Sequence, residues 1–317
     1  MKNSIKVVVA LTLLVAFLFS FAACTKQPKV EPIKVMALKG PTGMGMSYLM
    51  ENETDKYDIS IVAAPDDIVA AFSSGSATIA AVPINMASVL YNKLQGDVAM
   101  LAINTSSVLY FIENGDTIQS LNDLEGKTIY ATGQGATPEY ILDYILEANE
   151  VNATVEFKAE HSELATLLAS KEVALGMLPE PNVSAVLMKN KDARIALDLT
   201  EEWDKISDSQ LVQGCIIANK TFVEANEERI RNFITDYKTS TDFVNNSVAE
   251  AAELIAKFEI LPTKEAAEKA IPNSNIVIIC ANQMKKDARS MFNILFSINP
   301  KSIGGKLPGD DFYYQAD

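Results

Sequence analysis

A strand–turn–helix order that occurs twice, about 96 residues apart, constrains this chain more than any other feature. In the first copy, residues 33–38 read as a short buried strand. Lys39-Gly40-Pro41-Thr42-Gly43-Met44-Gly45 follows as a glycine-rich turn into a helix near 46–51. A second strand at 59–64 turns at Pro65-Asp66-Asp67 into a helix at 68–74, and a third at 78–82 stops at Pro83 before helical residues 86–94. The second copy runs through a strand at 127–131, the turn Thr132-Gly133-Gln134-Gly135-Ala136-Thr137 and a helix at 138–149. A strand at 154–159, a helix at 162–170 and a strand at 173–178 ending at Pro179 complete it. Thr137 is read as the N-cap and Pro138 as the first helical residue of that helix. A shift of 96 superposes Pro83 on Pro179, Ser74 on Ser170, Ser88 on Ser184 and Ala63 on Ala159. Apolar strands alternating with helices indicate βαβ units. Two copies are too few for a solenoid. The fold class is therefore α/β, with two similar lobes, each a mostly parallel sheet flanked by helices.

The remaining segments connect the lobes. Residues 98–104 and 107–113 are apolar and can carry the chain out of the first lobe, and 210–218 can carry it back. From 222 onward the pattern is largely helical. Residues 227–245 place Ile230, Phe233, Ile234 and Tyr237 on one face, 248–258 form a second helix, and a strand at 276–280 precedes a helix at 284–296. The expected plan is a discontinuous first lobe, 33–113 with 213–317, and a second lobe at 114–212 that forms a compact unit. The crossovers are expected near 112–117 and 207–214. A length of 317 residues with 48% hydrophobic and 21% charged suits two ordinary domains.

Lys2 and Lys6 precede residues 7–23, seventeen positions without a charge. The run ends in Phe21-Ala22-Ala23-Cys24, which resembles a bacterial lipobox, with Phe21 where leucine is usual. The resemblance implies a signal peptide at 1–23, lipidation of Cys24, and a polar tether at 24–32 broken by Pro28 and Pro32. The mature protein is then expected on the extracytoplasmic face of a membrane, anchored to it and not crossing it. Of the other cysteines, Cys215 and Cys280 sit in apolar runs and read as buried small hydrophobes, although such a compartment also permits a disulfide.

Lys+Arg number 27 against 41 Asp+Glu, a net charge of −14, so a nucleic-acid partner is not expected. One histidine and three cysteines cannot build a Cys/His zinc cluster, and no metal or cofactor is expected. Neither glycine-rich turn carries a nucleotide-binding pattern. No catalytic constellation emerges, since His161 is the only imidazole and no G-x-S-x-G elbow is present.

In open α/β sheets, ligands sit outside the carboxyl ends of the strands. Two lobes facing each other gather several such ends around one cleft. The candidates are Thr42, Gly43 and Met44 in the first turn and Gln134, Gly135, Ala136 and Thr137 in the second. Asn85 and Glu180 follow the two matching prolines, and His161 falls opposite Pro65 under the 96-residue shift. Asp66 and Asp67 read as acids at a helix start. Trp203 reads as packing of the second lobe.

Several segments sharpen this pattern. Ser120-Leu-Asn-Asp-Leu-Glu-Gly-Lys-Thr-Ile129, Met177-Leu-Pro-Glu-Pro181, Gln213-Gly-Cys-Ile-Ile-Ala-Asn-Lys-Thr-Phe222 and the tail from Asn299 to Tyr314 resemble a known group. It is the solute-binding proteins of ABC importers in the nitrate/sulfonate/taurine and thiamine-precursor group, which have the type II periplasmic-binding-protein fold. The resemblance implies a monomeric, non-enzymatic receptor that captures a small molecule and delivers it to a permease with its ATPase. A solute sensor signalling to a protein partner, or an enzyme on the same fold, are the alternatives. Glycine-rich helix starts favour an anionic ligand. Asp66, Glu180 and the scarcity of arginine favour a neutral or weakly cationic heterocycle.

Overall fold

The computed structural model describes residues 30–315. Cys24 and the apolar run before it lie outside them. Eleven strands are described: β1 (Ile33–Leu38), β2 (Tyr57–Val62), β3 (Ile79–Pro83), β4 (Val98–Thr105), β5 (Leu109–Asn114), β6 (Thr128–Thr132), β7 (Thr154–Lys158), β8 (Leu175–Pro179), β9 (Ala193–Asp198), β10 (Gly214–Asn219) and β11 (Ile276–Ile279). They form two sheets, ordered β11-β4-β10-β3-β1-β2 and β7-β6-β8-β5-β9.

The repeat read from the sequence is present in three dimensions. β3 and β8 begin and end 96 residues apart, as do the helices Pro65–Ser73 and His161–Ala169. The order β2-β1-β3-β10-β4 in one sheet is matched by β7-β6-β8-β5-β9 in the other. β1 pairs in parallel with β2 and β3, and β6 with β7 and β8.

Both sheets are mixed, which qualifies the expectation of mostly parallel ones. β10 lies antiparallel between β3 and β4, and β5 antiparallel between β8 and β9. The cause is the connectivity. β5 and β10 are the strands on which the chain enters each sheet from the other, after β4 and after β9, so they arrive from the opposite end; β11 also runs antiparallel to β4, at the edge of the first sheet.

This also corrects the expected boundary. The sequence pattern assigns residues 109–113 to the first lobe, but they lie in β5 of the second sheet. The strand is buried along five of its six positions, and so apolar a segment fits either sheet. Its place is given by its pairing with β8 and β9.

Helices cover the sheets, and the strands beneath them read as unbroken apolar runs. All eight residues of β4 are buried, as are the first four of β3. On the helix Glu227–Asn246 the buried Ile230, Phe233, Tyr237 and Val244 recur at spacings of three, four and seven, one helical face. Phe233 and Phe292 are both turned fully inward. Trp203 is fully buried, and its indole N–H donates to the Ser209 carbonyl at 2.7 Å. Cys215 is buried and Cys280 half-buried, both as free thiols. One apolar cluster runs through both sheets, joining Val82 and Cys215 to Leu109, Met177 and Phe292. Among the described residues no helix is long and apolar enough to cross a membrane.

Candidate functional site

The carboxyl ends of β1, β3, β6 and β8 converge on a cavity of about 730 Å³. From the first sheet come Lys39–Thr42 after β1, Pro83, Asn85 and Met86 at the end of β3, and Thr105 at the end of β4. The start of β10 adds Gln213 and Gly214. From the second come Gly133, Ala136, Thr137 and Pro138 after β6, His161 after β7, and Pro179–Asn182 after β8. Ile260 and Leu261 supply an apolar side. The volume lies in the ordinary range for small-molecule sites.

Proline shapes these walls. Pro41, Pro65, Pro83, Pro138, Pro179 and Pro181, half of the chain's twelve prolines, line the cavity. Proline lacks an N–H and fixes φ, which suits the first turn of a helix and the end of a strand. Pro41 and Pro65 open their helices, and Pro138 is the second residue of its own. Each of these six positions lacks a backbone donor toward the cavity.

Thr42 donates its hydroxyl to the Leu38 carbonyl at 3.3 Å, tying the turn back to β1. Asn85 donates to the Ser302 carbonyl at 3.4 Å. Gln213 accepts the Val108 N–H at 2.6 Å through its amide oxygen, which leaves its NH₂ for a ligand. Lys39 is exposed at the rim.

The second sheet contributes the titratable groups. His161 Nδ1 lies 2.6 Å from the Thr132 hydroxyl. Burial pushes the imidazole below its ordinary value, against the pull of Glu160, so it is neutral at pH 7. When Nδ1 accepts the Thr132 proton, Nε2 carries the N–H. Glu180 is only 2% exposed, and burial pushes its carboxyl up to about 7. Hydrogen bonds partly offset this: Glu180 accepts from the Ser184 N–H at 3.1 Å, the Ser184 hydroxyl at 2.9 Å and the Asn273 amide at 3.3 Å. Thr137 is 5% exposed, and its hydroxyl is buried without a hydrogen-bond partner.

Of the residues proposed from sequence, Thr42, Asn85, Ala136, Thr137, His161 and Glu180 line the cavity. Four others do not. Gly43 is buried behind the wall, where an added Cβ would collide with the Leu38 carbonyl oxygen, and Met44 is fully buried in an apolar cluster with Ile255 and Ile276. Both are turned inward because the turn closes at once into the short helix Pro41–Met44. Gln134 and Gly135 are exposed at the tip of their turn, outside the lining. The N-cap is Ala136, not Thr137, which is the first helical residue. Asp66 and Asp67 are exposed in the first helical turn after Pro65 and lie outside the cavity lining.

Sequence reasoning missed Lys39, Gln213 and Asn182. Lys39 and Asn182 adjoin the glycine-rich turn and the Pro179-Glu180 strand end, so the same local rules lead to them. Gln213 does not follow from those rules, because its strand enters from the far end of the chain.

Among curated proteins none matches the chain. Solved structures do. One described as an ABC transporter from Parabacteroides distasonis is 22% identical with a TM-score of 0.78, covering 91% of this chain and 100% of that one. The periplasmic aliphatic sulphonate binding protein of Escherichia coli is 13% identical with a TM-score of 0.69, covering 91% and 93%. The periplasmic nitrate-binding protein of Synechocystis is 10% identical with a TM-score of 0.59, covering 89% and 84%. At these identities the match is one of fold, the type II periplasmic-binding-protein fold. A family model described as NMT1/THI5 like matches residues 55–251, more than half of the 317 residues. On that match the chain belongs to the NMT1/THI5-like family.

Proposed function

We propose that this protein is an extracytoplasmic solute-binding lipoprotein of an ABC importer, anchored through Cys24, which captures a small organic molecule and presents it to a permease. The observation that carries this reading is one cavity faced by Thr42, Asn85 and Gln213 from one sheet and by Thr137, His161 and Glu180 from the other. The two sheets with their helices act as lobes, divided at the connections 106–108 and 205–213, and closure over the solute brings the two sets together. The kinship in fold with binding proteins named for sulphonate and nitrate supports the transport role.

The ligand reading follows from volume and from unused hydrogen-bonding groups. A cavity of about 730 Å³ greatly exceeds what nitrate fills, which favours an organic body between Met86, Ile260, Leu261 and the prolines. The Gln213 NH₂ and the Lys39 ammonium are donors, and His161 Nε2 is a third in the tautomer whose Nδ1 accepts the Thr132 proton, whereas the Gln213 oxygen and both Glu180 oxygens already accept bonds. Such a set recognises an acceptor-rich head group, a sulfonate or a carboxylate.

A thermal-shift panel of taurine, other alkanesulfonates, nitrate, amino acids and aminopyrimidines tests this. A ligand at a hundred times its dissociation constant adds about 2.7 kcal/mol of stability. The expected hit is an organic acid whose shift shrinks in Thr42→Ala, Thr137→Ala and His161→Ala. A hit whose binding survives all three changes would remove the cavity from consideration.

A further inference from the structure

The segment after the last long helix is built with more care than a tail requires. Residues 299–306 are seated on the helix Ile84–Lys93, whose first turn carries Asn85 to the cavity. The buried Ser88 hydroxyl donates to the Ile303 carbonyl at 2.8 Å. Asn92 donates to the carbonyls of Ile303 at 3.0 Å and Lys306 at 2.9 Å. Ile303 is fully buried, and the contact is so close that a Cβ on Gly304 would lie 3.2 Å from the Val89 Cα. The segment thus belongs mechanically to the first sheet's side of the cavity.

At its start it reaches across. Asn299 Nδ2 donates to the Tyr140 hydroxyl at 2.9 Å, and Tyr140 belongs to the helix Thr137–Ala148 that follows β6 of the second sheet. The Tyr140 hydroxyl in turn donates to the Gly135 carbonyl at 3.0 Å. Gly135, with φ +74°, is one of two left-handed glycines in the turn, the other being Gly133, and its N–H is held by the Glu139 carboxylate. Ala136 and Thr137, the next two residues, form the cavity wall. Ala136, the N-cap, offers no capping side chain, and the turn before it is tied to the helix instead by Glu139 and Tyr140 through the N–H and carbonyl of Gly135.

We propose that Asn299 and Tyr140 are positioning residues: through the relay Asn299–Tyr140–Gly135 the segment 299–306 sets the turn 133–137 and couples its geometry to the placement of the opposite wall. The relay costs little to break, since each link is a single neutral hydrogen bond. Movement of the second sheet's helix away from residue 299 withdraws the donor from the Tyr140 hydroxyl oxygen, which weakens the bond that hydroxyl gives to Gly135 and loosens the wall that carries Thr137. The functional weight of this arrangement rests on the cavity being the solute site. The coupling itself does not, and it is measurable without any ligand.

Hydrogen–deuterium exchange on the ligand-free chain tests it. Asn299 also caps the following 3-10 turn, its side-chain oxygen accepting the Lys301 N–H at 3.1 Å. Asn299→Asp keeps that cap, removes the donor to Tyr140 and sets in its place a carboxylate oxygen that competes with the Gly135 carbonyl for the Tyr140 proton. Tyr140→Phe deletes the middle of the relay. Each change is expected to speed amide exchange at residues 134–137 about fivefold, the equivalent of one neutral hydrogen bond. The double variant is expected to exchange no faster than Tyr140→Phe, and the helix Ile84–Lys93 to stay as protected as before. Wild-type exchange in Asn299→Asp would reduce Asn299 to a cap and overturn the proposal. So would additive effects in the double variant, or acceleration spread equally over the helix Ile84–Lys93. If Asn299→Asp does not fold, Tyr140→Phe decides alone: faster exchange confined to the turn supports the relay, and equal acceleration of that helix overturns it. Failure of every compound in the thermal-shift panel would count against solute capture and leave this result standing.

Discussion

At the scale of single residues, the cavity holds two groups whose titration pulls stability in opposite directions. Burial lifts Glu180 from an ordinary 4.5 to about 7, so the folded state keeps a proton that the unfolded chain has released. Stability therefore falls as pH rises from about 4.5 to about 7 and is level beyond, a loss on the order of 3 kcal/mol. Glu180→Gln should abolish that slope and leave the variant more stable than the parent at pH 8 in urea titrations. His161 acts with the other sign. Its lowered value means that the unfolded chain binds the proton first, so stability is lost as pH falls below about 6.5. Thr137 raises a separate trade-off. Its hydroxyl is buried and unpaired, and a group of that kind costs roughly 1 kcal/mol or more. Thr137→Ala should therefore raise the thermal midpoint of the free protein while weakening whichever compound the panel identifies. A lowered midpoint together with undiminished binding would show that the hydroxyl serves the fold and not the ligand.

At the scale of elements, the site depends on where strands end and on how closely two of them approach. Gly214 opens β10 against the cavity floor, where a Cβ would stand 2.8 Å from the Asn104 side-chain oxygen and 2.9 Å from the Thr42 Cγ2. Gly214→Ala should destabilise the chain by about 1–3 kcal/mol in denaturant melts and displace Thr42 from its bond to Leu38. The reversed strands make a second prediction. β9 is paired only with β5, so a fragment of residues 114–212 lacks the partner that holds its edge strand. It should remain largely unfolded by near-ultraviolet circular dichroism, and a fragment starting at 106 should do better. Equal folding of both would mean that β5 is dispensable to the second sheet.

At the scale of the whole molecule, one apolar cluster runs through both sheets, and residues of both line the cavity. The proposed anchor adds the membrane. Cys24→Ser should release the protein from membranes in fractionation without changing its thermal midpoint, because residues 33–315 form their compact unit without it. Retention of the variant in the membrane fraction would point to an anchor other than a lipid on Cys24.

The repeat, the α/β class and the place of the cavity at strand ends were legible because they follow from local rules. Alternating apolar runs fix strands and helices, and prolines such as Pro83 and Pro179 fix where they stop. Those rules act within a few residues, and they led to Thr42, Asn85, Thr137, His161 and Glu180. They could not decide which sheet would take β5, because a strand buried on both faces carries the same apolar signature in either. Nor could they tell that Met44 turns into the core while Lys39, five residues earlier, stays at the rim, since the short helix between them reverses the chain's outlook. Gln213, Asn273 and Asn299 reach the cavity or its supports only through contacts with residues far away in sequence. Sequence by itself determined the elements and the strand ends that border the cavity. Tertiary structure alone decided which side chains face one another there, because that depends on crossovers whose pairing energy is set by partners and not by the strand itself.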